Sequence, residues 1–487
     1  MPRTWFGTDG VRGNANTELT PELVLALGRA VARTITATTF LIGRDTRKSG
    51  PMLQAALAAG LASEGADVVD VGVLPTPALA WQSAKRDLPS VVISASHNPF
   101  PDNGIKLFGA GGTKLSEELE TAIEDELHRV LDPSVKGPRP LEGHGVGTVR
   151  SEPDVGAAYL RHLLGALDGR TLDGLRIVVD SANGSASALA AELLERAGAE
   201  VIAIGCEPDG TNINAGCGST ATELLSKAVV EHGAHVGLAL DGDADRLLAV
   251  DGTGALVDGD ALLALFARDL ADRGQLAGNT VVVTVMTNLG FRRAMDGLGI
   301  HVKETDVGDR HVLAAIDKEG LSLGGEQSGH IIFRRLATTG DGLLTGLVLA
   351  DLLARSGAPL VELLAGLIEP VPQTLVNVSG VDTSLFGTVE AIGMAIEQER
   401  AEMGDSGRIL VRPSGTEPVV RVMVECTEPG VAEATAARLH ALIEHELLAA
   451  AGTREPEAPA ATAPGLGADT GSTRPHAGGR SDRGRAG

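Results

Sequence analysis

The sequence predicts an α/β protein, with three consecutive α/β/α layered domains followed by a smaller C-terminal α+β domain. Two observations predict this fold class. Short β-branched runs alternate with helical stretches over most of the 487-residue chain, which is typical of layered α/β domains. Near residue 371 the alternation gives way to the order strand, helix, strand, strand, helix. We expect four domains and a disordered tail, with the bounds 1–150, 151–256, 257–370, 371–452 and 453–487.

The composition excludes several classes of protein. Aromatic residues make up 2% of the chain and its formal net charge is −23, which argues against a nucleic-acid partner. The cysteines form no CxxC pair, so neither a disulfide framework nor a zinc site is indicated; they are Cys206, Cys217 and Cys426. No signal-peptide core and no membrane-spanning apolar run is present. We therefore expect a cytoplasmic protein without a membrane partner.

The first predicted domain alternates helices and strands after a glycine-rich start. Pro21 follows Thr20, which predicts a helix from about residue 20 to 34. Pro51 opens a second helix. A later helix carries one apolar stripe, formed by Leu119, Ile123, Leu127 and Leu131. Short apolar runs predict strands at 39–43, 66–71 and 91–93. Residues 138–149 are rich in Gly and Pro and are predicted to form a linker.

In the second and third predicted domains, buried strands run into polar loops. The strands are predicted at residues 175–180, 236–240, 280–286 and 321–324. The loops that follow them are Ser181–Ser185, Asp241–Arg246, Thr287–Gly290 and Gly325–His330. Because ligands bind at the carboxyl ends of strands in open α/β sheets, these loops are candidate functional sites.

The fourth predicted domain is small and ends in a segment of different composition. Its strands are predicted at 374–378, 408–411 and 419–424, and its helices at 389–403 and 431–448. Beyond Gly452 the chain consists of Pro, Ala, Gly, Arg and Ser with almost no apolar bulk. Such a composition cannot bury enough apolar surface to order itself, which predicts disorder.

The strand at 91–93 leads into the most informative stretch of the chain. Ser94 and Ser96 follow it directly, and Pro99 blocks further regular pairing. A buried strand that ends in small polar residues presents hydroxyl groups at the edge of a sheet, where ligands bind. Ser96 is the candidate, and its neighbours are His97 and Asn98. The alternative is a polar turn with a capping serine.

Three carboxylates alternate after the strand at 236–240. In an extended backbone, a period of two would put Asp241, Asp243 and Asp245 on one side. Three like charges there repel one another unless a cation neutralises them, and oxygen ligands select a hard ion such as Mg²⁺. An EF-hand loop is excluded, because its sixth position is Arg246 and its twelfth is Gly252. A solvated acidic turn is the remaining alternative.

Other loops contribute groups that suit anions or sugars. Arg12 lies in the glycine-rich segment Phe6–Gly13, where it could reach a phosphate; a flexible N-terminal turn is the alternative. In Gly325–His330 the alternating Glu326, Ser328 and His330 suit hydrogen bonds to sugar hydroxyls, although a lone histidine is more often structural.

Two further features carry positive charge. Arg412–Pro418 combines an arginine, two hydroxyls and a glycine, which suits a phosphate, although a tight turn between two prolines fits as well. Lys106 lies in an apolar run and is either exposed at an edge or partly desolvated and able to exchange a proton.

Five segments occur together in the order, and at roughly the separations, of the α-D-phosphohexomutase family: Phe6–Gly13, Ala95–Pro99, Asp241–Arg246, Gly325–His330 and Arg412–Pro418. The chain up to about residue 450 resembles this family. The amino-acid sequences of the first, third and fourth segments, and of Val307–Arg310, are similar to those of the branch that acts on glucosamine phosphates. The branch that acts on mannose and glucose phosphates usually has Met at the position of Gln327. The resemblance implies four domains with mixed sheets around a central cleft, each contributing a loop.

The resemblance also implies roles for particular residues. Ser96 would carry a phosphoryl group, and Mg²⁺ would bind the three aspartates and a phosphoserine oxygen of Ser96. Charge stabilisation and proton transfer would involve Arg12, Lys106, Arg246 and His330, with the base left open. Ring hydroxyls would contact Glu326 and Ser328. The distal phosphate would bind Arg412, Ser414, Gly415, Thr416 and Arg421. For the 2-amino group, Asp309 is a guess on charge grounds alone.

The implied activity is that of an isomerase, which moves a phosphoryl group between the 6- and 1-positions of a phosphosugar. Glucosamine or glucose 1,6-bisphosphate would act as intermediate and activator. A homodimer and an activating kinase are partners that the sequence leaves open. The alternatives are a mutase for mannose or glucose phosphates, a Mg²⁺-dependent sugar phosphatase and a non-catalytic sugar-phosphate-binding protein.

Overall fold

A computed structural model of the chain describes residues 5–7, 9–414 and 419–453. The tail predicted to be disordered therefore lies outside the described residues, apart from Thr453. In the described part, no helix is both long enough and apolar enough to cross a membrane.

The first domain is a seven-stranded mixed sheet with helices on its faces. Its strands are β1 Phe6–Gly7, β2 Gly10–Asn14, β3 Thr39–Arg44, β4 Asp67–Val73, β5 Ser90–Ile93, β6 Asp102–Phe108 and β7 Val149–Ser151. Its helices are α1 Pro21–Thr34, α2 Gly50–Ser63, α3 Thr76–Arg86 and α4 Glu117–Leu131. The strand order is β1-β2-β6-β5-β3-β4-β7. β3 pairs in parallel with β4 and β5, and β6 is antiparallel to β5.

The predicted linker 138–149 contributes its last residue to this sheet. β7 pairs in parallel with β4 at the edge, and it crosses the boundary expected at residue 150. α1 begins where the sequence predicts, because the Thr20 side chain accepts a hydrogen bond from the Leu23 amide and Pro21 occupies the first turn.

The second domain is a five-stranded sheet of order β12-β11-β10-β8-β9. Its strands are β8 Arg176–Asp180, β9 Glu200–Ile204, β10 Val236–Leu240, β11 Leu247–Asp251 and β12 Leu256–Val257. Its helices are α5 Val155–Leu164, α6 Ala190–Arg196 and α7 Glu223–His232. β10 lies centrally and is buried at every residue, so the loop after it starts inside the molecule.

The third domain is a four-stranded sheet of order β14-β13-β15-β16. Its strands are β13 Thr280–Thr284, β14 His301–Thr305, β15 Leu323–Gly325 and β16 Ile331–Phe333. Its helices are α8 Gly259–Asp272, α9 Leu289–Gly297, α10 Asp309–Glu319, α11 Gly342–Ser356 and α12 Leu360–Leu364. α11 follows the third sheet in the chain but packs on the second one, where a side chain at Gly346 would meet Leu238 of β10.

The fourth domain is a three-stranded antiparallel sheet of order β17-β19-β18 with two helices. The elements are β17 Gln373–Ser379, α13 Glu390–Met403, β18 Gly407–Pro413, β19 Val419–Cys426 and α14 Val431–Thr453. Its hydrophobic core is separate, whereas one continuous cluster of buried side chains joins the first three domains. The predicted fold class, three layered α/β domains and a smaller α+β domain, is confirmed.

Candidate active site

Ser96 lies in a turn directly after β5, with a backbone φ of +52°. A non-glycine residue in this region is uncommon and persists only where its surroundings hold it. Its Oγ donates a 2.6 Å hydrogen bond to Oδ2 of Asp241, and Nδ1 of His97 lies 3.3 Å from the same Oγ. Ser96 is 1% exposed. The hydroxyl at the tip of the first-domain strand thus contacts the acidic loop of the second domain.

The acidic residues occupy a turn between β10 and β11, so the extended backbone expected from their alternation is wrong. Ala244 has φ of +58°, which folds the chain back on itself. Carboxylates two residues apart in an extended strand would be separated by about 7 Å. In the turn, one oxygen each of Asp241, Asp243 and Asp245 lies within 4.8 Å of the others, and all three residues are buried. The turn therefore brings the three carboxylates together into one buried cluster.

This donor set fits a hard divalent cation. Oδ1 of Asp243 and Oδ1 of Asp245 are buried without a hydrogen-bond partner among the described residues, and such orphaned oxygens are costly unless something pairs with them. Oxygen-only ligands favour a hard cation. Burial and the neighbouring carboxylates raise the pKa of Asp241 well above its ordinary value. A cation would relieve both costs.

Lys106 of β6 projects into the same cluster. Its Nζ lies 2.8 Å from Oδ2 of Asp243, 3.3 Å from Oδ2 of Asp9 and 3.6 Å from Oδ2 of Asp245. Burial disfavours the ammonium, but these three carboxylates outweigh burial and hold the pKa of Lys106 above its ordinary value. The prediction left its exposure open, and in the structure Lys106 is buried, with a raised pKa that favours the ammonium form. We call Ser96, Lys106 and the three aspartates the Ser96 cluster.

Two arginines border the Ser96 cluster. Arg12 of β2 pairs with Asp9 and lies 3.5 Å from the carbonyl oxygen of Ala95. Nε of Arg246 is 3.8 Å from Oδ1 of Asp245. Burial opposes its charge, but Asp245 and Asp241 raise the pKa of Arg246 further above its ordinary value. Burial, with help from the two arginines, lowers the pKa of the nearby His97 to about 4.

The third domain contributes His330, which lies between two carboxylates. Nδ1 is 3.8 Å from Oδ2 of Asp245 and Nε2 is 3.8 Å from Oδ2 of Asp309. Nε2 also accepts a 3.0 Å hydrogen bond from the amide of Gly340. Asp309 itself pairs with Lys114 of the first domain at 2.8 Å. Its carboxylate is thus already engaged, and its guessed role toward an amino group stays a prediction.

Glu326 and Ser328 lie on the turn between β15 and β16. Oε1 of Glu326 accepts a 3.1 Å hydrogen bond from the amide of Gly308. Ser328 is exposed, and its Oγ lies 3.5 Å from Oε2 of Glu326. These two side chains therefore form one polar surface on the third domain.

The fourth domain brings Arg412 and Arg421 opposite each other across β18 and β19. Burial and the Arg421 charge lower the pKa of Arg412, and cations side by side favour an anion between them. The Ser414 amide donates to the Val419 carbonyl at 2.9 Å. Gly415 and Thr416 lie outside the described residues. Within the described ranges, no hydrogen bond or ion pair joins Arg412 to the Ser96 cluster.

Sequence reasoning missed several residues around the cluster. They are Asp9, Asp45, Arg47, Lys114 and Asn214, each of which contacts the Ser96 turn or its charged partners. A signal existed for Asp45 and Arg47, since Arg44–Gly50 is a polar loop after a buried strand, and for Asp9, which lies in the glycine-rich segment Phe6–Gly13. No local pattern distinguishes Lys114 and Asn214.

Comparison with known proteins gives four consecutive family matches. The models are the phosphoglucomutase/phosphomannomutase α/β/α domains I, II and III, which match residues 3–132, 157–254 and 258–371, and the C-terminal domain, which matches residues 375–442. A phosphoglucosamine mutase of Thermobifida fusca is 52% identical over 450 residues, which cover 91% of this chain and 98% of the relative. A phosphoglucosamine mutase of Mycobacterium tuberculosis is 52% identical over 441 residues, which cover 89% of this chain and 97% of that relative.

Solved structures agree in fold. A phosphoglucomutase/phosphomannomutase family protein from Burkholderia thailandensis has a TM-score of 0.74 at 26% identity, and the match covers 93% of this chain and 99% of that chain. An Aspergillus fumigatus N-acetylphosphoglucosamine mutase, solved with GlcNAc-6P and magnesium, has a TM-score of 0.65 at 18% identity, with 91% and 96% covered. At that identity the second likeness is one of fold.

The four-domain fold, with a serine set against an acidic turn, defines a protein of the phosphohexomutase class. The chain belongs to the phosphoglucomutase/phosphomannomutase family, as its four domain matches and its bacterial relatives at 52% identity establish. The resemblance read from the five motifs is therefore confirmed.

Proposed function

We propose that the protein catalyses the phosphoglucosamine mutase reaction, the interconversion of glucosamine 6-phosphate and glucosamine 1-phosphate. It is then an isomerase, and its product, glucosamine 1-phosphate, feeds the synthesis of UDP-N-acetylglucosamine and peptidoglycan precursors. One observation carries the proposal: the Ser96 hydroxyl contacts a buried acidic turn at 2.6 Å, in a chain 52% identical to phosphoglucosamine mutases along almost its whole length. A cytoplasmic location, a homodimer and an activating kinase stay predictions.

The chemistry is two phosphoryl transfers through Ser96. In the first, the 1-hydroxyl oxygen of glucosamine 6-phosphate attacks the phosphorus carried on Oγ. The bond from phosphorus to Oγ breaks, a bond to O1 forms and the hydroxyl proton leaves to a base. The resulting 1,6-bisphosphate turns end for end. Its 6-phosphoryl group then moves to Oγ, O6 regains a proton, and glucosamine 1-phosphate leaves. A 1,6-bisphosphate of glucosamine or glucose also charges Ser96 initially.

Mg²⁺ is the cation that we propose for the acidic turn, held by the three aspartates and a phosphoserine oxygen. When bound, it neutralises charge on the transferring phosphoryl group. Lys106 and Arg246 stay charged, since their carboxylate neighbours raise the pKa of each, and so stabilise negative charge on that group. Arg12 and His330 are the further candidates at this centre.

Substrate recognition is assigned to the third and fourth domains. Glu326 and Ser328 would accept and donate hydrogen bonds to ring hydroxyls. The distal phosphate would bind the fourth-domain loop, through Arg412, Ser414, Gly415, Thr416 and Arg421. The support for this arrangement is the pair of arginines facing each other across β18 and β19, which suits a doubly charged anion.

Replacing the nucleophile tests the proposal. Ser96→Ala removes the phosphoryl acceptor, and we expect the isomerisation rate to fall by at least about 10³-fold, as for loss of a covalent nucleophile. The rate is measured with the 6-phosphates of glucosamine, mannose and glucose, together with released inorganic phosphate and intact mass. The matched control is Ser134→Ala, on an exposed turn, which should behave as wild type.

The two catalytic alternatives have outcomes of their own. Faster turnover of mannose or glucose 6-phosphate would make the protein a mutase for those sugars, and stoichiometric phosphate release would make it a phosphatase. Near-normal isomerisation by Ser96→Ala would overturn the assignment of Ser96.

A further inference from the structure

Arg47 is wholly buried beneath the Ser96 turn, with 0% of its side chain exposed. Nη2 donates to the carbonyl oxygens of Ser96 and Asn98, at 3.0 and 2.7 Å. Nη1 donates to those of Pro99 and Asp102, at 2.5 and 3.1 Å. All four acceptors belong to one short stretch of backbone, so a single guanidinium group holds the whole turn.

A ring of hydrogen bonds runs from the Ser96 carbonyl through Arg47 and two further side chains to the Ser96 amide. Nε of Arg47 donates to Oδ2 of Asp45 at 2.9 Å, and the same Oδ2 accepts from Oγ of Ser94 at 2.6 Å. Ser94 Oγ in turn accepts from the amide of Ser96 at 3.0 Å. The ring thus begins at the carbonyl of Ser96 and ends at its amide, which fixes both peptide planes that flank the reactive side chain.

The second domain reinforces the same contacts. Nδ2 of Asn214 donates to the carbonyls of Ser96 and Asn98 at 2.9 and 3.0 Å, so each carbonyl accepts from two domains. Gly242, in the acidic turn, lies so close that a Cβ there would be 2.5 Å from the Ser96 carbonyl oxygen. The acidic turn therefore packs directly against the carbonyl that Arg47 and Asn214 hold.

We infer that Arg47 is a positioning residue, which acts together with Asp45 and Ser94. It holds Ser96 in its left-handed conformation and so places Oγ for transfer of the phosphoryl group. The inference rests on the proposed function, since it supposes that Ser96 carries that group. Only a planar group with five donors can serve four carbonyls and a carboxylate at once, and a lysine cannot. No hydrogen bond or ion pair joins Arg47 to the described residues assigned to sugar or distal phosphate, so we expect it to affect transfer and to leave substrate binding intact.

The test uses the full-length Arg47→Lys variant. A misplacement of about 1 Å costs about 10²-fold in rate, so we expect kcat to fall by about that factor. The dissociation constant of glucosamine 1-phosphate for the dephosphorylated enzyme, measured by calorimetry, should stay within about twofold, since less than about 0.4 kcal/mol separates such affinities. Hydrogen exchange should quicken at residues 96–102 and not in α4. The ³¹P resonance of the phosphoserine should shift.

Two further variants keep the test decisive. Ser94→Ala breaks the hydrogen-bond chain without removing the buried arginine, and it should show the same changes more weakly. It replaces Arg47→Lys as the test if that variant does not fold. Arg29→Lys is the matched control: Arg29 of α1 donates to Ser63 of α2, and its kcat should be that of wild type.

The outcomes separate this inference from the proposed function. If wild type isomerises glucosamine 6-phosphate and carries the phosphoserine, while folded Arg47→Lys or Ser94→Ala keeps wild-type kcat and exchange, the positioning role is refuted. Loss of substrate affinity equal to the loss of kcat would refute it too. If wild type itself neither isomerises the sugar nor gains a phosphate on Ser96, the proposed function fails instead.

Discussion

Asp243 uses its two carboxylate oxygens differently. Oδ2 accepts hydrogen bonds from Thr76 Oγ1 at 2.7 Å and from Lys106 Nζ at 2.8 Å. Oδ1 is buried and has no hydrogen-bond partner in the described part of the chain. One oxygen is thus fixed by the first domain, and the other is available to a cation. At the scale of single residues, this asymmetry is what makes the acidic turn a candidate metal site.

Replacing Asp243 by Asn tests that site. The change keeps the shape of the side chain but removes one of three charges, so we expect Mg²⁺ affinity to fall at least about tenfold, equivalent to about 1.4 kcal/mol. Calorimetric titration of the variant with Mg²⁺ measures this directly. Asp251→Asn is the control, since Asp251 lies in the same domain and its Oδ1 caps the Thr253 turn. Unchanged Mg²⁺ binding by Asp243→Asn would contradict the assignment.

At the scale of elements, α5 and α11 are joined by one buried pair. The hydroxyl of Tyr159 on α5 donates to Oδ2 of Asp341 at 2.7 Å, while Oδ1 of Asp341 caps α11 by accepting from the Leu344 amide. Burial outweighs these bonds and raises the pKa of Asp341 to about 6. The carboxylate that starts α11 is therefore destabilising in its charged form.

The sign of the pH dependence follows from that raised pKa. Between about pH 4 and pH 6 the folded state holds a proton that the unfolded state has lost, so this group's contribution to stability falls as pH rises. This contribution to the free energy of unfolding falls by about 1.4 kcal/mol for each pH unit. The total loss is about 3 kcal/mol, and it is complete above about pH 6. Asp341→Asn keeps the helix cap but cannot titrate.

Urea unfolding at pH 4 and pH 7 measures this effect. We expect the free energy of unfolding of Asp341→Asn minus that of wild type to be about 3 kcal/mol larger at pH 7 than at pH 4, so that the variant is relatively more stable at pH 7. Other titrating groups cancel in that comparison. If the free energies of unfolding of variant and wild type differ by the same amount at pH 4 and pH 7, Asp341 does not bind a proton in the folded state over that range.

At the scale of the whole molecule, the fourth domain is attached by polar contacts and not by a shared core. Its apolar cluster is separate from the one that joins the other three domains. Arg408 donates to the carbonyls of Val285 and Thr287 at 2.8 and 2.9 Å, and to Oε2 of Glu425 at 3.0 Å. Glu425 is fully buried and also accepts from the amide of Leu289. This junction orients the fourth domain toward the third.

Arg408→Met should weaken this junction. Removing one partner of a buried ion pair leaves an unpaired buried charge, which costs about 3–5 kcal/mol. We expect calorimetric unfolding to split, with a small transition for the fourth domain at lower temperature. Arg438→Met, which breaks an exposed pair with Glu399 in the same domain, should cost at most about 1 kcal/mol. An unsplit transition at the wild-type temperature for Arg408→Met would contradict this view of the junction.

Sequence alone determined the strands that lead into the candidate site and the side chains that follow them. β5 and β10 are β-branched or apolar runs that any local reading identifies, and Ser96 and Asp241 follow them directly. Such signals are local, because hydrophobic periodicity, prolines and caps act within a few residues. The same reading put the acidic residues on an extended chain, and it had no means to foresee that Ala244 would turn them inward.

Tertiary structure alone decided what holds these groups together. Arg47 looks like an ordinary loop cation until residues 49 to 55 positions further along the chain bring their carbonyls to it. α11 of the third domain packs against β10 of the second, and Asn214 of the second domain contacts the Ser96 turn of the first. Whether a charge is buried, and which partners satisfy it, depends on contacts between distant segments. No local pattern encodes those contacts, because the free energy that stabilises them arises only when distant segments of the chain pack together.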